Sequence, residues 1–253
     1  MLTAILLLVF ATYTVAAPGA TKLDPVVVNN DNKYGYAVDL SQEASTITAD
    51  LAKCLKSNGI QAVFIRGFKW DQNAIDAASV ASVRNTYQAG LGVEIFMHPS
   101  PMSSLEGSQQ LDLMVRGLNN NGIVVRTVWI TVENLNWWPT DQIKNTVFIN
   151  SILTRANQLG LTVGIFTSAY SWSKITNNWN AGPDVLLWYN NSPSAANFDD
   201  FVAFGGFKTP LVKMFDLHFS PCSTNFNRNV YSIGIAAKKS FTAPDGKIVV
   251  GGL

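Results

Sequence analysis

Residues 127–168 read TVWITVENLNWWPTDQIKNTVFINSILTRANQLGLTVGIFTS, and this stretch decides the fold class. It opens with an apolar run, Thr127–Glu133, and closes with another, Thr162–Ser168, both of strand length and rich in β-branched and aromatic side chains. Between them Ile143, Val147, Ile152, Ala156 and Leu159 recur at helical spacing, and Gly160 stands where a helix hands over to the next strand. The unit is strand, helix, glycine, strand. Strands that are apolar along their whole length are buried on both faces, the mark of a parallel sheet covered by helices.

The same unit recurs on both sides. Tyr34–Leu40, Ala62–Phe68 and Val93–Pro99 precede it, Val185–Asn191 and Val212–Phe219 follow, and an eighth short strand is expected near Asn225–Val230. Leu111, Val115 and Leu118 mark a further helix, and Gly59, Gly90 and Gly122 repeat the role of Gly160. So many consecutive repeats favour a closed or nearly closed TIM-like (β/α) barrel, in a single domain, over an open doubly wound sheet. The open sheet would carry a Gly-rich phosphate loop after its first strand, where Asp39-Leu40-Ser41-Gln42 stands instead.

Residues 1–17 are expected to be a signal peptide: an apolar run from Leu2 to Phe10, too short to span a bilayer, ends in small residues at Ala16 and Ala17. The protein is therefore expected to be secreted, into an extracellular, gut-lumen or lysosome-like space. Residues 18–33 form an N-terminal extension, 34–231 the barrel and 232–253 a C-terminal tail. With 18 basic against 17 acidic residues and no basic cluster, neither nucleic acid nor an anionic membrane is an expected partner. The two cysteines, Cys54 and Cys222, read as one structural disulfide in an oxidising compartment. Closing so long a loop stabilises by at most about 5 kcal/mol in the chain-entropy picture.

Ligands of a parallel barrel bind at the carboxyl ends of its strands. Here those ends carry Asp39, then Arg66 and Phe68, His98, Glu133, Thr167 and Ser168, Trp188 and Tyr189, and finally Asp216 and His218. Acids together with aromatic rings suit a sugar polymer, because pyranose CH faces stack on rings while acids and amides hold hydroxyls. Trp129 and Trp188, inside strands, read equally as core, whereas Trp137 and Trp138, on a loop, read as surface stacking groups. Asp39 and Glu133 fit paired-acid glycoside cleavage, the alternative being ion pairing, for instance with Arg66. His98, Asp216 and His218 are weaker candidates. Two histidines without a cysteine cluster make no metal site, and no cofactor is expected.

The segments Tyr36–Ser41, Ile65–Phe68, Trp129–Glu133, Leu187–Tyr189 and Phe204–Phe207 resemble, in order and spacing, lysozymes of glycoside hydrolase family 25, of the nematode and amoeba type. The resemblance spans about residues 34–231. It implies an irregular α/β barrel that cuts the β-1,4 bond after N-acetylmuramic acid in bacterial peptidoglycan, in digestion or defence; a monomer is expected. It makes Glu133 the general acid, with Asp39 beside it and Thr131 in the site; with the strand-end residues Arg66, Phe68, His98, Trp188, Tyr189 and Asp216 these form the expected substrate site. Apolar neighbours such as Trp129 and the charge of Asp39 would keep Glu133 protonated. The chain departs from the family at two acids: Thr131 stands where Asp-x-Glu has its Asp, and Asn227 aligns with a later Asp. The resemblance thus implies either a lysozyme with impaired catalysis or a non-catalytic glycan-binding protein on the same barrel. A chitinase-like barrel would need an acid-rich strand of which only Glu133 is present.

Overall fold

The structure, a computed structural model, describes residues 33–40, 46–233 and 246–253. The expected signal peptide, all but the last residue of the N-terminal extension, Ser41-Gln42 and most of the expected tail lie outside these. Residues 33–253 form one unit.

Eight strands close a barrel: β1 (Tyr34–Leu40), β2 (Ala62–Lys69), β4 (Gly92–Met97), β6 (Thr127–Thr131), β7 (Thr162–Thr167), β8 (Leu186–Asn190), β9 (Val212–Phe219) and β10 (Phe226–Ser232). They run β1-β10-β9-β8-β7-β6-β4-β2, and β2 pairs back onto β1. A two-residue strand, β3 (Ala74–Ile75), folds against β2, and β5 (Ile123–Val125) pairs in parallel with β11 (Ile248–Val250). The expected wholly parallel sheet needs one correction. β10 is antiparallel to both β1 and β9, so the barrel is mixed. No helix intervenes between β9 and β10, only a short 3-10 turn at Pro221–Ser223, and a connection that short can only reverse the chain.

Five helices cover the described barrel: α1 (Ala49–Ser57), α2 (Ala77–Gln88), α3 (Gly107–Asn120), α4 (Gln142–Gln158) and α5 (Ala169–Thr176). Local chemistry sets their ends. Thr48, Asp76, Asp141 and Ser168 accept hydrogen bonds from first-turn amides of α1, α2, α4 and α5, and Glu106 with Gln109 forms a capping box on α3. At the other end of α4, Gly160 sits at φ 70° while Leu161 N donates back to the Ala156 carbonyl, closing the helix as expected. Ile143 and Val147 do not join the core face of α4: they are 76% and 64% exposed. Asn145, Ile149, Ile152 and Ala156 make the buried stripe instead.

Two apolar layers result. The larger lies between barrel and helices; the smaller fills the barrel with Ala37, Ala62, Phe64, Phe96, Trp129, Trp188, Val212 and Tyr231. In that interior Phe64, Trp129 and Trp188 pack with ring centroids 4.2–6.0 Å apart. Gly164 of β7 is a packing requirement, since a Cβ there would overlap the Trp129 ring. Below, Glu94 is buried and accepts the Trp129 indole N–H at 2.8 Å and the backbone N–H groups of Gly252 and Leu253 at 2.6 and 2.9 Å. The end of the expected tail is therefore stitched to the foot of the barrel. Cys54 on α1 and Cys222 after β9 are joined as a disulfide, as expected from the cysteine count. Among the described residues no helix is long and apolar enough to cross a membrane.

Candidate active site

A cleft of about 350 Å³ opens at the carboxyl ends of the parallel strands. Asp39, Phe96, His98, Thr131, Glu133, Phe166, Trp188, Asn190 and Asn227 line it, with Leu40, Asn134, Met214 and Leu217. These side chains share one face because alternate strand residues point the same way, so Thr131 and Glu133, or Trp188 and Asn190, enter together.

Asp39 is almost wholly buried near the end of β1. Its register partner on β10 is Asn227. Asn227 Nδ2 donates to Oδ2 and Asn229 Nδ2 to Oδ1, both at 2.7 Å. Asn229 in turn accepts the Trp188 indole N–H at 2.8 Å, so the ring forming the cleft floor and the carboxylate are held by one amide. Burial lifts Asp39 to about 7, against the pull of its two amide donors.

Glu133 follows β6. Trp138 Nε1 donates to its carbonyl at 3.2 Å, Thr167 Oγ1 donates to the Val132 carbonyl at 2.8 Å, and Asn134 turns the chain away at φ 56°. The backbone is thus fixed on both sides of the acid. Glu133 Oε2 accepts from Ser171 Oγ at 2.6 Å, whereas the buried Oε1 has no hydrogen-bond partner. Burial raises its pKa, opposed first by the Ser171 hydroxyl and then by the polar groups of Ser168 and Asn190 near the carboxyl. Of the two expected causes, desolvation leads, but not through Trp129, and the charge of Asp39 is not among the causes. Trp129 faces the lower interior and bonds Glu94, and it is desolvation within the cleft wall, not the charge of Asp39, that comes first. A carboxyl whose pKa is raised by burial and whose Oε1 carries no hydrogen-bond partner is suited to deliver a proton to a bound leaving group.

His98 lies across from this pair. Its Nδ1 is 2.6 Å from Thr131 Oγ1, which is itself 3.2 Å from the Met97 carbonyl. Both bonds are satisfied together only when His98 carries its proton on Nδ1 and Thr131 donates to Met97, which leaves the Nε2 lone pair free. Burial, reinforced by the positive charge of Arg66, pushes His98 down to about 3, so the ring is neutral.

Of the residues expected in the site, Asp39, Glu133, His98, Thr131 and Trp188 line the cleft. Others lie elsewhere. Phe68 is fully buried among the helices, because a register shift between Arg66 and Phe68 turns it outward from the barrel. Arg66 is off the cleft wall, with Nε donating to Asp76 Oδ2 at 2.8 Å. Tyr189 points opposite to Trp188 and packs against Phe201 and Phe204. Asp216 is also off the wall and accepts the His218 backbone N–H at 2.9 Å. Trp138 is not a surface ring but buried against Phe148. Trp137 is partly buried and stacks on Trp70. Asn190 and Asn227 join the cleft as polar groups. Asn190 was accessible from the period-two rule applied to Trp188, whereas Asn229 enters only through pairing of β10 with β1. Among the described residues no group of three His, Cys, Asp or Glu side chains gathers to hold a metal.

Comparison with known proteins bears on the family and the fold. The family model for lysozyme-like protein 1 matches residues 30–215. Lysozyme-like protein 1 of Caenorhabditis elegans is 48% identical over 90% of this chain and 83% of its own length. Probable GH family 25 lysozyme 2 of Dictyostelium discoideum is 32% identical over 77% of this chain and 89% of its own. Among solved structures, a bacterial lysozyme from Streptomyces coelicolor superposes with a TM-score of 0.63 at 20% identity, covering 79% of this chain and 94% of that one. A muramidase from Trichobolus zukalii does so with a TM-score of 0.60 at 17% identity, over 78% and 93%. At those identities the structural likeness speaks for the barrel alone, while the relatives and the family model reach further: the chain belongs to the lysozyme-like proteins of glycoside hydrolase family 25.

Proposed function

We propose that the protein is a secreted glycoside hydrolase acting on bacterial peptidoglycan, cutting the β-1,4 bond after N-acetylmuramic acid with Glu133 as general acid. The observation that carries this reading is Glu133 itself: half-buried in the cleft wall, raised in pKa, backbone-locked, with a buried Oε1 that has no hydrogen-bond partner. Proton transfer from Glu133 to the glycosidic oxygen breaks the bond to the anomeric carbon, and the resulting carboxylate then takes a proton from the incoming water. Asp39, near 7, supplies at most partial negative charge to the positive centre that develops.

Thr131 offers no charge in this reading, and Asn227 neutralises rather than extends the acidic wall. Loss of one such acid or base lowers a rate by about 10²–10⁴-fold, so slow turnover is expected. One observation favours the second reading, a non-catalytic peptidoglycan-binding protein: both oxygens of Asp39 are occupied by amides and Thr131 is tied to His98, so among the described residues the only uncommitted carboxylate oxygen in the cleft is on Glu133.

Release of reducing sugar from purified peptidoglycan, run beside Glu133→Gln and a peptidoglycan pull-down, decides between them. Release that Glu133→Gln abolishes establishes the hydrolase; retention on the polymer without release establishes the binding protein. Thr131→Asp places a carboxylate beside His98 and the scissile bond, and we expect it to raise sugar release at least tenfold. An unchanged rate would mean the cleft lacks more than this one acid.

A further inference from the structure

From the His98 wall of the cleft a series of aromatic rings continues outward. Trp188 forms the floor, 1% exposed; the Phe96 ring meets it edge-on at 6.1 Å, and His98 meets Phe96 edge-on at 5.1 Å. Beyond the cleft His98 meets Trp137 edge-on at 5.6 Å, and Trp137 stacks on Trp70 at 5.6 Å with their planes 28° apart. Exposure rises along this series, ending at Trp70, which is 41% exposed. The two outer rings come from different elements: Trp137 from the 3-10 turn Leu135–Trp137 after Glu133, Trp70 from the turn between β2 and β3. That turn is pinned by a Gln72 N–H donated to the Lys69 carbonyl at 3.2 Å, by the Lys69–Asp71 ion pair at 3.4 Å, and by Asn73 at φ 47°.

A tryptophan needed only to cover Trp137 would gain by burying its own free face, since a large apolar ring left in water forgoes about 25 cal/mol for each Å² still exposed. We propose that Trp70, backed by Trp137, is a stacking subsite for a sugar ring beyond the cleft, so that the protein binds long β-linked aminosugar strands better than short ones. The proposal rests on the reading of the cleft as a glycan site and adds its direction: the strand leaves past the β2–β3 turn. Stacking suits this position because it reads the CH face of any pyranose and tolerates variation in the substituents that peptidoglycan carries. Continuity with the cleft wall at His98 argues for a sugar strand rather than an unrelated apolar partner.

The test titrates the protein with N-acetylglucosamine oligomers of two and of six units, followed by tryptophan fluorescence and calorimetry. These oligomers lack N-acetylmuramic acid and so are not cut by the proposed reaction. Trp70→Ala should weaken binding of the six-unit oligomer by about 3- to 10-fold, the range of one aromatic contact, and leave the two-unit oligomer unchanged. Trp70→Tyr should restore most of the loss. If Trp70→Ala binds the long oligomer as tightly as the parent, or if both oligomers weaken equally, the subsite is refuted while the cleft reading stands. If the parent protein binds neither oligomer nor peptidoglycan, the cleft reading fails and takes the subsite with it. Trp70 is a turn residue outside both core layers, so the variant is expected to fold, as its far-UV circular dichroism will show.

Discussion

At the scale of single residues, the cleft is an arrangement of groups held neutral or nearly so. His98 is the clearest case. A buried imidazole near Arg66, with Nδ1 committed to Thr131, has no partner that would stabilise the cation, and its pKa falls to about 3. Its ring nitrogens should therefore show the Nδ1–H neutral tautomer by NMR at every pH from 8 down to about 4. A midpoint near the ordinary value of about 6.5 would mean the ring is open to water or to an acid. Thr131→Asp should move that midpoint upward, because a carboxylate beside Nδ1 favours the imidazolium, and this readout is independent of turnover.

At the scale of elements, α5 and β7 set the geometry of the site without entering the chemistry. Ser168 caps α5 and thereby holds Ser171 in the first turn, from where its hydroxyl reaches Glu133 Oε2. That bond favours the ionised acid, so removing it raises the Glu133 pKa further. In Ser171→Ala the alkaline limb of the pH–rate profile should shift to higher pH; a shift to lower pH would show that Ser171 acts otherwise. In β7, Gly164→Ala should cost about 1–3 kcal/mol in urea unfolding, because the added methyl meets the Trp129 ring and the closed barrel gives that ring nowhere to move. Gly164 looks like an ordinary weak point of a strand in sequence; only β6–β7 pairing, with Trp129 opposite Gly164, explains it.

For the whole molecule, two acids of the described residues are buried with raised pKa values, Asp39 at about 7 and Glu94 at about 6, and half-buried Glu133 is raised as well. Each binds a proton more tightly folded than unfolded. Their contribution to stability is complete below the unfolded value near 4 and is lost as pH rises through 6 and 7. The melting temperature should thus decline between pH 4 and 7, and less steeply in Asp39→Asn; a rise across that window in the parent protein would contradict the burial of these groups. Protein working in a mildly acidic compartment would keep this stability. The disulfide, joining α1 to the β9–β10 connection across 168 residues of chain, holds the antiparallel closing strands near the start of the barrel.

The strand–helix–glycine repeat, the helix caps and the cysteine pair are local or compositional signals, and from them the barrel, its strand positions to within two residues and the end on which the site opens were all legible. Asp39, Glu133, His98 and Trp188 were legible too, because barrel strands deliver their last inward residues to one mouth, and Thr131 was legible through the family resemblance. The direction of β10, the outward turn of Phe68, the burial of Trp138 and the stacking of Trp70 on Trp137 were not. Each depends on a partner from another element: strand pairing with β1, a register shift against β4, the contact with Phe148 on α4, a turn more than sixty residues away. Side-chain periodicity tells which residues share a face, but which face meets the cleft is decided only when the barrel closes and non-local packing assigns every surface a neighbour.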